Sequence, residues 1–159
     1  MIQSLQEADL NPDFSRISDP VRTELLNWIS AFSSKESEMK KLDLLIRQNA
    51  ALRSGKELLR STSENGIDFD FPCLRNSPLN SIVAWSVIYD QKEILCAINT
   101  NLEEEAIAYV TVDDDLHPID SKMFNLYASA LCPKELNIEV RNGKALRLTV
   151  SAYGFVIYG

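Results

Sequence analysis

Residues 81–99 read SIVAWSVIYDQKEILCAIN, and this stretch decides the class of fold. Two runs rich in β-branched and aromatic residues, 81–89 and 93–99, flank the polar triplet Asp90-Gln91-Lys92. That pattern predicts a β-hairpin. In its first arm Ile82, Ala84 and Ile88 alternate with Val83, Trp85, Val87 and Tyr89, so both faces are apolar and both must be covered. One cover is a facing sheet. The other is either helical sequence upstream of Gly55 or a neighbouring domain.

Downstream, the same period continues. Residues 105–112 (EAIAYVTV) predict a third strand and 124–128 a shorter one. Residues 136–140 lead through Arg141-Asn142-Gly143-Lys144 into 145–150, and Asn-Gly is a strong short hairpin signal. A last strand, 155–158, follows the tight connection 151–154. Several strands joined by short polar turns predict a mainly β protein, an antiparallel β-sandwich or Greek-key domain.

Upstream, two α-helices are predicted. Asp19 is placed to cap the first and Pro20 to open it, with Val21, Leu25, Trp28, Ile29 and Phe32 at helical spacing over 20–32. Ser33-Ser34-Lys35-Glu36 matches a capping box for the second. Its apolar stripe runs through Met39, Leu42, Leu45, Ile46 and Leu52, and Gly55 is expected to end it with positive φ. Residues 1–17, with the turn signal Asn11-Pro12, predict an irregular start. The division is thus a helical segment, 1–55, and an all-β domain, 56–159, with no internal repeat.

The bulk numbers narrow the function. A chain of 159 residues with 45% hydrophobic and 25% charged residues has the composition of a soluble globular protein. Sixteen Lys plus Arg against 23 Asp plus Glu give a net charge of −7, a field that repels nucleic-acid phosphates and anionic lipid headgroups. Cys73, Cys96 and Cys132 lack any metal-ligand or redox spacing and are expected as buried apolar thiols in a cytoplasmic setting.

Few residues suggest chemistry. Asp113-Asp114-Asp115 lacks the spacing of a calcium loop, and Glu103-Glu104-Glu105 reads as a polar turn. His117, the single histidine, precedes Pro118 and has no nucleophile motif to serve, which predicts a structural or solvent-exposed role. Trp85, Tyr89, Tyr109, Tyr127, Tyr153 and Tyr158 could make a sugar-stacking platform, yet all but Tyr153 sit in strand patterns that predict core packing. No catalytic residue, cofactor or metal site is expected.

The element order carries a resemblance. The segment Ala50-Ala51-Leu52-Arg53-Ser54-Gly55, the strands from Ile82 to Trp85 and Leu95 to Asn99, and the ending LTVSAYGFVIY over 148–158 resemble the end of the barrel and the C-terminal all-β domain of α-amylase-type enzymes, glycoside hydrolase family 13. Ala50 and Ala152 stand where that family often has proline. The resemblance spans roughly residues 39–159 and implies a non-catalytic β-domain with a structural or interaction role in carbohydrate metabolism. The family's reaction needs two carboxyl groups on the loops of a (β/α)₈ barrel of at least about 200 residues, more than this chain supplies beside its strands. The implied partners are the catalytic barrel of a parent protein, or a second copy through the N-terminal helices. A carbohydrate-binding module and a self-associating scaffold are the alternatives.

Overall fold

The computed structural model describes residues 19–71 and 81–159. The expected irregular start, Asn11-Pro12 and Cys73 lie outside these residues. The protein is mainly β, with two antiparallel sheets preceded by helices.

Helix α1 spans Asp19–Ser33 and buries Val21, Leu25, Trp28, Ile29 and Phe32, the stripe predicted from the sequence. Asp19 is not a flanking cap but lies in the first turn, where its carboxylate suits the positive end of the helix. Helix α2, Glu36–Gln48, starts without a capping box. Ser33 still belongs to α1, the Ser34 hydroxyl donates backward to Ala31 O at 2.6 Å, and Lys35 takes the cap position with no side-chain bond. The expected continuous helix also breaks. Asn49 is extended, and its Oδ1 accepts from Ala51 N at 3.1 Å, which starts the short helix α3, Ala50–Ser54.

Gly55 follows α3 with φ −74° and ψ 159°, not the positive φ expected of a helix-ending glycine. The reason for glycine is close approach. A Cβ there would lie 2.5 Å from Val87 Cγ1, 2.7 Å from Ala51 O and 3.0 Å from Ile88 O. The chain turns against the sheet with no space for a side chain.

The strands are β1 (Lys56–Arg60), β2 (Thr62–Ser63), β3 (Ile82–Tyr89), β4 (Lys92–Asn99), β5 (Ala106–Thr111), β6 (Lys122–Ala128), β7 (Glu135–Asn137), β8 (Glu139–Val140), β9 (Lys144–Val150) and β10 (Phe155–Tyr158). One sheet has the order β1-β3-β4-β10-β6-β7 and the other β2-β5-β9-β8. The β3–β4 hairpin pairs Tyr89 with Lys92, so its loop is Asp90-Gln91 alone. Both loop residues have positive φ, 47° and 60°, the backbone of a two-residue turn that matches strand twist.

Two predicted strands behave differently from expectation. Residues 136–140 do not form one strand: β7 pairs with β6 in the larger sheet, β8 pairs with β9 in the smaller, and buried Ile138 sits between them. The 151–154 connection likewise joins β9 in the smaller sheet to β10 in the larger. It is an arch between layers, with Tyr153 at φ 55° and Gly154 N bonded to Ser151 O at 2.9 Å. Strands β1 and β2 were not among the predicted ones.

The alternation explains the layering. Ile82, Ala84, Leu95, Ala97, Val156 and Tyr158 point between the sheets to meet Val110, Leu146 and Leu148. Val83, Trp85, Val87, Cys96, Phe155 and Ile157 point the other way, into a second core that α1, α2 and α3 cover. The doubly apolar strand is therefore covered within the chain, by a sheet on one side and helices on the other. The helical side is aromatic: Trp28 stacks on Phe32 at 4.6 Å, and Phe155 meets Trp28 edge-on at 5.8 Å and Trp85 at 5.9 Å. Such pairs add about 0.5–1.5 kcal/mol each beyond area burial. The far face of the smaller sheet carries exposed Ile107 and Arg147, so that sheet has one wet side.

Candidate functional site

Polar residues meet at the two ends of β4. At the first end lies Glu93, whose side chain is fully buried. Arg60 Nη2, at the end of β1, lies 2.6 Å from Glu93 Oε1, and the Ser86 hydroxyl donates to the same oxygen. Arg60 Nε donates to Ser86 Oγ at 2.6 Å. Glu93 Oε2 accepts from Asp113 N at 2.8 Å and faces His117 Nε2 at 2.8 Å. Lys144 Nζ closes the rim by donating to the carbonyls of Asp114 and His117.

Burial pushes the Glu93 carboxyl upward, but the bonds from His117, Ser86 and Asp113 and the Arg60 charge outweigh it and hold the group below the usual carboxylate range. The residue types suggest a serine–histidine–acid relay, and the connectivity excludes one. In such a relay the imidazole bridges hydroxyl and acid. Here the acid stands between Ser86 and His117, on different oxygens, and Ser86 is fully buried. The cluster is an ion-paired tie between layers: it draws the loop after β5 onto β4. His117, for which the sequence predicted a structural or solvent-exposed role, is largely covered and has a partner in Glu93 that the sequence did not reveal. The one signal was a glutamate opening an otherwise apolar strand.

At the other end of β4, Asn99 is fully buried. Its Nδ2 donates to Glu104 O at 2.9 Å, Val150 O at 3.1 Å and Ser151 O at 3.2 Å, while Oδ1 accepts from Ser81 Oγ and from Asn101 N at 2.9 Å. The 151–154 arch is then held by Asn99 N to Gly154 O, 3.0 Å, and Tyr153 N to Asn101 O, 2.7 Å. One amide fastens three chain segments.

Beside this knot a cavity of about 610 Å³ opens between α1 and the 99–102 loop, with Trp28 and Tyr153 in its wall. A second, of about 560 Å³, lies where the chain passes from β7 to β8, lined by Ile119, Asp120 and Arg141 among others.

The remaining residues singled out from sequence scatter. Asp113 Oδ1 accepts from Asp115 N and Leu116 N, and Asp114 Oδ1 from Lys144 N, so these two carboxylates address separate backbone groups. Glu103, Glu104 and Glu105 are exposed, and the turn is set by Asn101 Oδ1 accepting from Glu103 N and Glu104 N. Trp85, Tyr127 and Tyr158 are core residues, as predicted. Tyr89 is not: at the hairpin tip it is 43% exposed. Tyr109 is half-buried on the outer face, its ring 3.1 Å from the Cβ position of Gly66 and 4.9 Å from the Arg141 guanidinium. Cys96 is buried, which pushes its thiol well above the usual range, whereas Cys132 is only partly covered. No helix among the described residues is long and apolar enough to cross a membrane.

Among solved structures the chain is similar to part of a debranching enzyme. The crystal structure of the debranching enzyme from Nostoc punctiforme aligns with a TM-score of 0.49 and 20% identity, over 75% of this chain and 20% of that one. The native form of the same enzyme gives 0.46 and 19% over the same shares. This chain thus spans about one-fifth of the length of those proteins. No family model and no curated protein matches the sequence.

Proposed function

We propose that this chain is a non-catalytic β-domain of the α-amylase type, the C-terminal domain of that architecture with the last helical part of the barrel region attached, and that its role is structural. The observation that carries the reading is the junction at Gly55. The helix ending Ala51-Leu52-Arg53 is pressed onto β3 through a position that admits no side chain, and Trp28 and Phe32 share one aromatic core with Trp85 and Phe155. A helix packed onto a β-sandwich in this way supports the reading drawn from the sequence resemblance. The buried polar residues support it too, since Glu93 and Asn99 are engaged in holding layers together.

In this reading the partner is a catalytic barrel or a second copy of the chain. Leu26 and Leu44, 44% and 55% exposed on the helices, are the apolar residues it would cover. The cytoplasm is the proposed setting, supported by three cysteines without disulfide spacing. Incubation of the purified chain with starch and maltooligosaccharides tests the non-catalytic role: no release of reducing ends is expected, and hydrolysis abolished by no contaminant control would overturn it. Sedimentation at micromolar concentration, alone and with a separate barrel domain, decides between the two partners.

A further inference from the structure

We propose that Asn142 is a site of spontaneous deamidation, and that the fold shields the other Asn-Gly step of the chain, Asn65-Gly66, from the same reaction. An asparagine followed by glycine suits this chemistry, because glycine puts no side chain in the way of ring closure and leaves the backbone free to reach the reactive shape. The Gly143 nitrogen, giving up its proton to base from solvent, attacks Asn142 Cγ. The N–Cγ bond forms, the Cγ–Nδ2 bond breaks, and ammonia leaves. Water then opens the cyclic imide at either carbonyl, giving aspartate or isoaspartate. Water is consumed and ammonia released, with no oxidant or reductant.

The two dipeptides are identical in sequence and opposite in setting. Strands β8 and β9 pair Val140 with Lys144, so Arg141, Asn142 and Gly143 form the loop, and Asn142 and Gly143 are both exposed. Among the described residues neither the Asn142 amide nor the Gly143 N–H makes a hydrogen bond. The bond across the loop, Arg141 N to Gly143 O at 2.7 Å, engages neither reacting group. Strand β8 has two residues at the border of its sheet, so the loop can open locally at low cost. At the other step, Asn65 Oδ1 accepts from Ser63 Oγ at 2.9 Å, Ile67 N at 2.9 Å and Asp68 N at 3.0 Å, and Nδ2 donates to Asp68 Oδ2 at 2.7 Å. Gly66 N, which would attack, donates to Ser63 Oγ at 3.0 Å, and Gly66 is buried against the Tyr109 ring. Side chain and nucleophile must both be released before that ring can close.

The modification reaches the buried cluster through Lys144, the next residue. Its N–H donates to Asp114 Oδ1 at 2.6 Å, and its Nζ donates to the carbonyls of Asp114 and His117. A Cβ on Gly143 would lie 3.4 Å from Asp114 Oδ2, so a carboxylate one residue earlier brings like charge toward Asp114. Isoaspartate also adds a backbone carbon ahead of Lys144. Either product loosens the rim over Glu93 and His117.

The test is to age the full chain in mildly alkaline buffer, folded and in concentrated guanidinium chloride, and to read peptide digests by mass spectrometry. In the folded chain the Asn142 peptide should convert to aspartate and isoaspartate about tenfold or more faster than the Asn65 peptide, whose bonds must break first. In guanidinium the two rates should converge. Ser63→Ala, which removes a bond from each reacting group at Asn65-Gly66, should speed conversion there in the folded chain. The aged chain and Asn142→Asp should both melt at lower temperature than fresh protein. Equal rates in the folded chain, faster conversion at Asn65, no conversion at either step, or a rate ratio that persists in guanidinium would each overturn the proposal. An unchanged melting temperature after conversion would overturn the link to the buried cluster.

Discussion

Glu93 and Asn99 stand near opposite ends of the same buried strand, β4, and each ties the larger sheet to the smaller: Glu93 Oε2 accepts from Asp113 N at 2.8 Å, and Asn99 Nδ2 donates to Val150 O at 3.1 Å. Between them β4 is apolar and buried on both faces. The layers are therefore pressed together along their middle and pinned at their ends.

Glu93→Leu should destabilise the fold by about 3–5 kcal/mol, because it leaves the Arg60 guanidinium, 14% exposed at its side chain, without its partner. A double variant with Arg60→Met should recover much of the loss. Urea midpoints of the single and double variants check both statements.

The pH dependence follows from the same group. Glu93 titrates below its ordinary value in the folded protein, so its stabilising contribution is complete above the unfolded glutamate pKa of about 4.3 and is lost as pH falls through the folded value. Glu38, held low by hydrogen bonds from Lys41 and the Tyr127 hydroxyl, acts with the same sign. Unfolding free energy measured between about pH 7 and 3 should fall steeply in the parent chain and less steeply in Glu93→Gln.

Asn99→Asp should be as damaging as Asn99→Ala. The carboxylate keeps the acceptor for Asn101 N but removes the donor that serves the carbonyls of Glu104, Val150 and Ser151. Each buried group left unpaired costs about 1–3 kcal/mol. Thermal unfolding of the two variants side by side gives the comparison.

Gly55→Ala is expected to cost more than an ordinary loop substitution although φ there is accessible to alanine. The new methyl carbon meets Val87 and the Ala51 carbonyl, and overpacking of this kind costs about 1–3 kcal/mol. Calorimetry should show a lowered midpoint, and near-ultraviolet dichroism a change in the tryptophan signal as α3 lifts from β3.

The Cys96 thiol should resist alkylation in the folded chain while Cys132 reacts, since burial disfavours the Cys96 thiolate and closes its access. Mass spectrometry of the labelled peptides, before and after denaturation, separates the two.

Sequence pattern reveals faces more readily than partners. The two-sided apolar character of 82–89 announced two covers, and the stripe of α1 matched one of them residue for residue. Period alone could not show that 136–140 changes sheet at Ile138, because both halves keep a strand-like alternation. Nor could it show the end of α2, where an asparagine amide competes with the backbone for Ala51 N. Glu93 was hidden because Arg60 and His117 lie 33 and 24 residues away in the chain, distances across which only the fold brings charges together.

The shortness of the outer strands bears on solubility. Among the described residues, β2 and β8 border the smaller sheet with two residues each, and β7 borders the larger with three. The longest border, β1, opens with Lys56 and Glu57. A foreign strand seeking to extend either sheet meets few free amides, or charged side chains, an arrangement that disfavours edge-to-edge polymerisation.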